Sequence, residues 1–191
     1  MSKENPITKF ESSWKQRQLS NGVTISHIPW PHDQRFYLCA VIKVGSRNDD
    51  PMLMGMAHFL EHMMFRGSEN HPSFLQLADA FEWLGGEWNA ATSQDHTEYS
   101  FSSTIATAPR AIQLFSEFFR SPKLCDIDRE RQVILREIED EENDYGHSID
   151  LSYHMANLLW PGRTIAQPIT GLKESVEAVT CEDLKEYIYK Y

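Results

Sequence analysis

The sequence predicts an α+β fold, an antiparallel sheet with helices packed on it. Three observations point there: short alternating runs beside turn residues, longer amphipathic stretches that come in pairs, and no regular alternation of one strand with one helix. Trp14 to Leu19 and Val23 to Ile28 alternate around Asn21-Gly22 and read as a tight hairpin. Phe36 to Val44, FYLCAVIKV, is a third strand, rich in aromatic and branched residues and ended by Gly45-Ser46. Asp50-Pro51 looks like an N-cap with proline at the first helical position. It predicts a helix to about Phe65, stopped by Arg66-Gly67. A second helix, about Ser73 to Leu84, ends at Gly85-Gly86, and Glu87 to Ser93 with Glu98 to Ile105 form a further strand pair. Helices follow at Ala108 to Phe119 and at Asp126 to Asp144, the latter with Ile127, Ile134, Leu135 and Ile138 as its apolar side. Ser148 to Trp160 is also helical in pattern, and Thr180 with Asp183 forms a capping box for a last helix, Cys181 to Tyr191.

Composition bounds the function. At 191 residues, with no repeat or low-complexity linker, the chain is expected to be one domain, 1–191. Hydrophobic residues make up 41%, enough for a core, yet a mean hydropathy of −0.49 leaves no apolar run that would cross a bilayer, so a membrane is not expected as partner. The formal charge of −10 and the lack of a basic run exclude nucleic acid and favour cationic peptides. The start, MSKENPITKF, has no apolar signal segment, which predicts a cytoplasmic location. Cys39, Cys125 and Cys181 are too scattered for a disulfide framework or a CxxC site and are expected to be small buried hydrophobes.

The chemistry lies in His58-Phe59-Leu60-Glu61-His62. At 100° per residue, His58 and His62 stand one turn apart on one helix face, with Glu61 beside them. Two neutral imidazoles suit a borderline-soft cation such as Zn²⁺, and a carboxylate that is not a ligand can accept a proton from water. This H-x-x-E-H order is the inverted zincin arrangement. Chance alone would produce it somewhere in such a chain with a probability of roughly 0.03, so a third ligand is needed. Glu130 and Glu137, seven residues apart on a separate helix, are the candidates, although composition alone would let both simply solvate a helix face. His27, His32, His71, His147 and His154 read as surface or hydrogen-bonded histidines. Five of the seven methionines fall between Met52 and Met64 and read as flexible core filler, and the six acids from Glu137 to Asp144 as a solvated helix end that could attract a basic peptide.

Residues 45 to 68, GSRNDDPMLMGMAHFLEHMMFRGS, resemble the signature of the M16 metallopeptidases, the group of pitrilysin, insulin-degrading enzyme and the mitochondrial processing peptidase. The likeness continues in GGEWNAATSQDHTEYSF (85 to 101), similar to the family's Asn-Ala-x-Thr edge strand, in DRERQVILREIEDEEND (128 to 144), similar to its downstream Glu pair, and in residues 164 to 191. It covers the chain from about Val23 onward. The resemblance implies the fold of the family's N-terminal catalytic domain and one zinc ion per chain. It also implies His58, His62 and Glu137 as zinc ligands, Glu61 as general base, and Glu130 as the second acidic residue supporting the site. Glu139 is a fallback ligand only. Substrate is expected to add as a strand along Asn89, Ala90, Ala91 and Thr92, with Asn89 on the peptide backbone.

Family members usually continue into a second, related domain that contributes Arg and Tyr groups near the scissile carbonyl, and this sequence ends first. Losing one oxyanion donor typically costs about 10²- to 10³-fold in rate, so this chain alone is expected to bind zinc well and cleave poorly. Ala166 stands where the family commonly has Gly. The implied function is a zinc-dependent endopeptidase acting on a peptide or small protein, partnered by a second M16-type domain or subunit or by its own copy. A non-catalytic subunit, a zinc-stabilised peptide-binding module and a hydrolase of non-peptide substrates are the alternatives.

Overall fold

Leu19 and Val23 close the first turn: the Leu19 N–H donates to the Val23 carbonyl at 2.8 Å, and Gly22, at φ 89°, takes the left-handed position inside it. In the computed structural model, which describes residues 14–30, 32–124 and 126–191, this turn joins β1 (Lys15–Gln18) to β2 (Thr24–His27). They pair antiparallel from Lys15↔His27 to Gln18↔Thr24. Every residue of both strands is exposed, so their alternation buries no face. The chain divides into two compact units, residues 1–35, which contain this hairpin, and residues 36–191.

The larger unit is built on a three-stranded sheet in the order β3-β5-β4, from β3 (Arg35–Ile42), β4 (Glu87–Thr92) and β5 (Thr97–Thr104). β4 and β5 run antiparallel from Glu87↔Ser102 to Thr92↔Thr97, which leaves β4 at one border of the sheet. Alternate residues face inward: Leu38, Ala40, Trp88, Tyr99 and Phe101 pack with Leu77 and Phe81 of α2 (Phe74–Glu82) and Leu114 and Phe118 of α3 (Ala108–Arg120). A second core gathers Ile134, Leu135 and Ile138 of α4 (Ile127–Asp140) with Val176 of α6 (Lys173–Ala178) and Leu184 of α7 (Cys181–Lys190). α5 (Leu151–Leu159) is capped by Asp150, whose carboxylate accepts from the Ser152 and Tyr153 amides.

α1 (Met56–Met64) lies between the two cores. Phe59 and Met63, both fully buried, belong to the α4 side, and Leu60 and Met64 touch the sheet side. On a helical wheel this occupies two of three stripes and leaves the third to His58, Glu61 and His62.

The α+β class holds, with shifted boundaries. Asp50-Pro51 does not begin α1; the Asp50 carboxylate accepts from the Met52 amide at 2.8 Å in a local turn, and the helix starts six residues later behind Gly55. Gly55, at φ 92°, and Gly171, at φ 85°, meet backbone to backbone. A Cβ on Gly171 would stand 2.4 Å from the Met54 carbonyl oxygen. α4 stops at Asp140 rather than Asp144 because Asn143 to Gly146 turn the chain. The six-residue α6 carries no apolar period of its own, so no pattern in the sequence announces it. The capping box of Thr180 and Asp183 opens α7 as expected.

Single residues also depart. Cys39 is exposed on the outer face of β3 and Cys181 is partly buried, against the expectation of buried hydrophobes, because each sits on a face that packs incompletely; Cys125 lies outside the described residues. Met56, Met63 and Met64 fill the core, but Met52 is 79% exposed in the turn before α1. His154 Nε2 donates to the Ser148 carbonyl at 2.7 Å, and His27, His32 and His147 are exposed. The Nδ1 of His71 is buried without a hydrogen-bond partner, unlike the surface or hydrogen-bonded residue foreseen. Among the described residues, no helix is long and apolar enough to cross a membrane.

Candidate metal centre

The third stripe of α1 faces α4, and the two helices bring their polar groups together there. His58 Nε2 is 3.7 Å and His62 Nε2 3.4 Å from the same oxygen of Glu137, Oε2, and the three ligand atoms lie within 4.8 Å of one another. At zinc-ligand bond lengths of about 2.0–2.1 Å and tetrahedral angles, neighbouring donor atoms stand about 3.3 Å apart. Two imidazole nitrogens and one carboxylate oxygen at this spacing therefore fit a zinc ion. Glu139, two residues along and so on the far side of the helix, pairs with Lys173 at 3.8 Å.

The two histidines are held differently. His62 Nδ1 faces Glu130 Oε2 at 3.3 Å, and with Glu130 as acceptor the proton sits on Nδ1 and leaves Nε2 free to ligate. Glu130 is itself buried, and its other oxygen takes an ion pair from Arg66 at 3.0 Å. His58 Nδ1, by contrast, is buried with no hydrogen-bond partner. Burial, with the neighbouring His62, pushes the His58 pKa down to about 3, so the ring is neutral and its lone pair available. Burial alone would lower His62 as well, but the Glu130 hydrogen bond and the charges of Glu137, Glu61 and Glu130 leave it raised. Glu130 is lowered, first by its bond to His62 and then by Arg66, against its burial. Burial raises Glu137, helped by Glu141, Glu130 and Asp140 and opposed by His62.

Glu61 sits on the same stripe but outside the donor triangle. Burial raises its pKa, and the Thr92 hydroxyl, which donates to Oε2 at 2.5 Å, opposes the rise. Thr92 closes β4, so the sheet border and the helix meet at this carboxylate. Along β4, Asn89 and Ala91 point outward and Ala90 and Thr92 inward. Of the four residues foreseen as a substrate edge, the structure thus puts Thr92 on Glu61 and keeps all four on a border strand.

Two further contributors belong to no motif. In the sequence Arg66 reads as a helix stop, but its place four residues after His62 sets it on the His62 side of the helix. Asp49, just before the turn, accepts amide hydrogen bonds from Gly55 and Ala57. Beside the centre, a cleft of about 230 Å³ is lined by Gln94, Glu141, Asp150, Tyr153 and Gln167 among others. Glu141 is one turn beyond Glu137, and Gln94 two residues beyond Thr92. Ala166 is fully buried, and its carbonyl accepts from the Asn157 amide; nothing ties it to the donors.

The chain can be compared with known proteins on this basis. Residues 30–169 match the family model described as Insulinase (Peptidase family M16). A Schizosaccharomyces pombe protein named as a probable mitochondrial-processing peptidase subunit beta is 33% identical over 172 residues, covering 89% of this chain and 37% of its own length. An uncharacterized zinc protease of Rickettsia bellii is 28% identical over 185 residues, covering 95% of this chain and 44% of its own. The crystal structure of a protease from Helicobacter pylori superposes with a TM-score of 0.83 at 25% identity, covering 91% of this chain and 42% of that one. The chain thus spans well under half the length of these relatives.

Proposed function

From the membership of this chain in the insulinase peptidase family, M16, we propose that it is the zinc-binding catalytic domain of a metalloendopeptidase. The observation that carries the reading is the convergence of His58 Nε2, His62 Nε2 and Glu137 Oε2 beside the partly buried carboxylate of Glu61, which is not one of the three donors. His58, His62 and Glu137 hold the metal. When bound, zinc supplies Lewis acidity, which acidifies water and polarises a peptide carbonyl. Glu61 takes a proton from the attacking water as the C–O bond forms, then gives it to the departing amine as the C–N bond breaks. Burial strengthens Glu61 as a base, and Thr92 aims it. Glu130, steadied by Arg66, fixes the His62 tautomer.

The substrate is a peptide that adds as a strand to the free border of β4 and passes Glu61 at Thr92. A cationic peptide suits the net charge of −10 and the Glu141 and Asp150 carboxylates of the adjoining cleft. A partner M16-type domain or subunit completes the site. Supporting this, Leu151, Met155, Leu158 and Leu159 lie exposed on α5, and the fission-yeast relative is named as a subunit.

The test is hydrolysis of a quenched-fluorescent basic peptide library by zinc-loaded protein, with metal counted in the same sample. The expected result is one zinc per chain and cleavage that Glu61→Gln abolishes while zinc stays, with a partner half added if the chain alone is slow. Failure to take up zinc overturns the reading. Stoichiometric zinc without cleavage, even with the partner half present, points instead to a peptide-binding module.

A further inference from the structure

α1 starts without a capping side chain of its own. Its N-cap is Gly55, and the first N–H groups of a helix need acceptors from elsewhere. Asp49 supplies them from six residues upstream: Oδ2 accepts from the Gly55 N–H at 2.9 Å and Oδ1 from the Ala57 N–H at 3.1 Å. The same Oδ1 accepts the Tyr187 hydroxyl of α7 at 2.7 Å. Asp49 is 5% exposed, and no ion pair to it is found among the described residues. A buried carboxylate held only by neutral donors is costly, so what it holds in place has to offset its burial.

Its position indicates what the carboxylate does. Ala57 immediately precedes His58. His62 is oriented by a side chain, Glu130, but His58 Nδ1 has no partner, so the setting of its ring rests on the backbone that carries it and on packing. Resting on the metal-centre reading above, we infer that Asp49, braced by Tyr187, is the positioning residue for His58. By fixing the first turn of α1 in height and rotation, it does for one ligand through the backbone what Glu130 does for the other through the imidazole.

Asp49→Asn keeps the shape but puts an amide that donates where a carboxylate oxygen accepted. Zinc affinity, measured by competition with a chromophoric chelator, is expected to fall about tenfold, as for lost support of other metal ligands. The visible spectrum of the Co²⁺-loaded protein should change with it, while far-UV circular dichroism stays that of the parent. Tyr187→Phe should lower affinity in the same direction by a few fold. The Co²⁺ spectrum reports the ligand geometry itself, so its change separates a displaced His58 from a general loss of stability, which would leave the spectrum of the folded fraction parental. A folded Asp49→Asn protein with parental affinity and Co²⁺ spectrum overturns the inference; should that variant fail to fold, parental values in Tyr187→Phe overturn it. If the parent takes up neither metal, or His58→Ala leaves uptake unchanged, it is the metal-centre reading that falls.

Discussion

Thr92 at the end of β4 donates its hydroxyl hydrogen to the Glu61 carboxylate on α1 at 2.5 Å, across 31 residues of sequence. The bond ties the border strand, where a peptide would pair, to the group that would move the proton. Thr92→Val keeps the volume and removes the donor. Steady-state kinetics of the cleaving assembly should show kcat reduced about tenfold with KM little changed, since misaimed groups lose rate rather than binding. A raised KM at constant kcat would make Thr92 a substrate contact instead.

Glu130 and Arg66 form the support of His62. Glu130→Gln retains an acceptor but loses the charge, and Arg66→Met strips the carboxylate of its cation. Each is expected to weaken zinc by about 10- to 100-fold, well short of the loss in His62→Ala. Isothermal titration or chelator competition ranks the three; equal losses would make Glu130 a ligand in its own right.

Asp49 sets a pH dependence of stability. Burial lifts its pKa from 3.8 to about 6 despite the donors from Tyr187, Gly55 and Ala57. The folded state therefore holds this proton more tightly than the unfolded chain. The contribution to stability is full below about pH 4 and is lost as pH rises through about 6, by roughly 3 kcal/mol. Urea unfolding of metal-free protein at pH 4 and pH 7.5 should show the parent losing that much relative to Asp49→Asn. A difference that does not move with pH would mean the carboxylate titrates normally.

Gly171 should tolerate no side chain. Its φ of 85° disfavours alanine, and the added Cβ would meet the Met54 carbonyl oxygen at 2.4 Å and Gly55 Cα at 2.8 Å. Gly171→Ala is expected to cost about 2–4 kcal/mol, the sum of a left-handed backbone and an overpacked contact. Gly162→Ala, at φ 71° with nothing within 4 Å, is the comparison and should cost about 1 kcal/mol. Thermal or urea unfolding of both separates contact from backbone.

Local chemistry was legible in the sequence. The His58, Glu61 and His62 stripe follows from helical period, the β4-β5 pair from alternation, and the Thr180 cap from two residues. Groups whose partners are distant in sequence were not. Asp49 precedes a helix by more than a turn and answers to Tyr187, Arg66 looked like punctuation after a helix, and Ser175 secures α6 by donating to the Met54 carbonyl at 2.9 Å, which no periodicity announces. The true start of α1 was missed for the same reason. Asp50-Pro51 carries a strong local signal, and only the approach of Gly55 to Thr170 and Gly171 explains why the turn continues past it.

The Asp49-Tyr187 bond joins residues 138 apart, which gives the molecule an order of assembly. A chain leaving the ribosome exposes His58 to His62 long before Tyr187 exists, and closing a loop of that length comes late because its entropic cost precedes its reward. Until α7 docks, the leading turn of α1 shares its acceptor with water alone. The hydroxyl of Tyr187 thus reaches an acceptor that also caps a helix beginning at Met56, so the first turn of α1 is complete only with α7 packed against it.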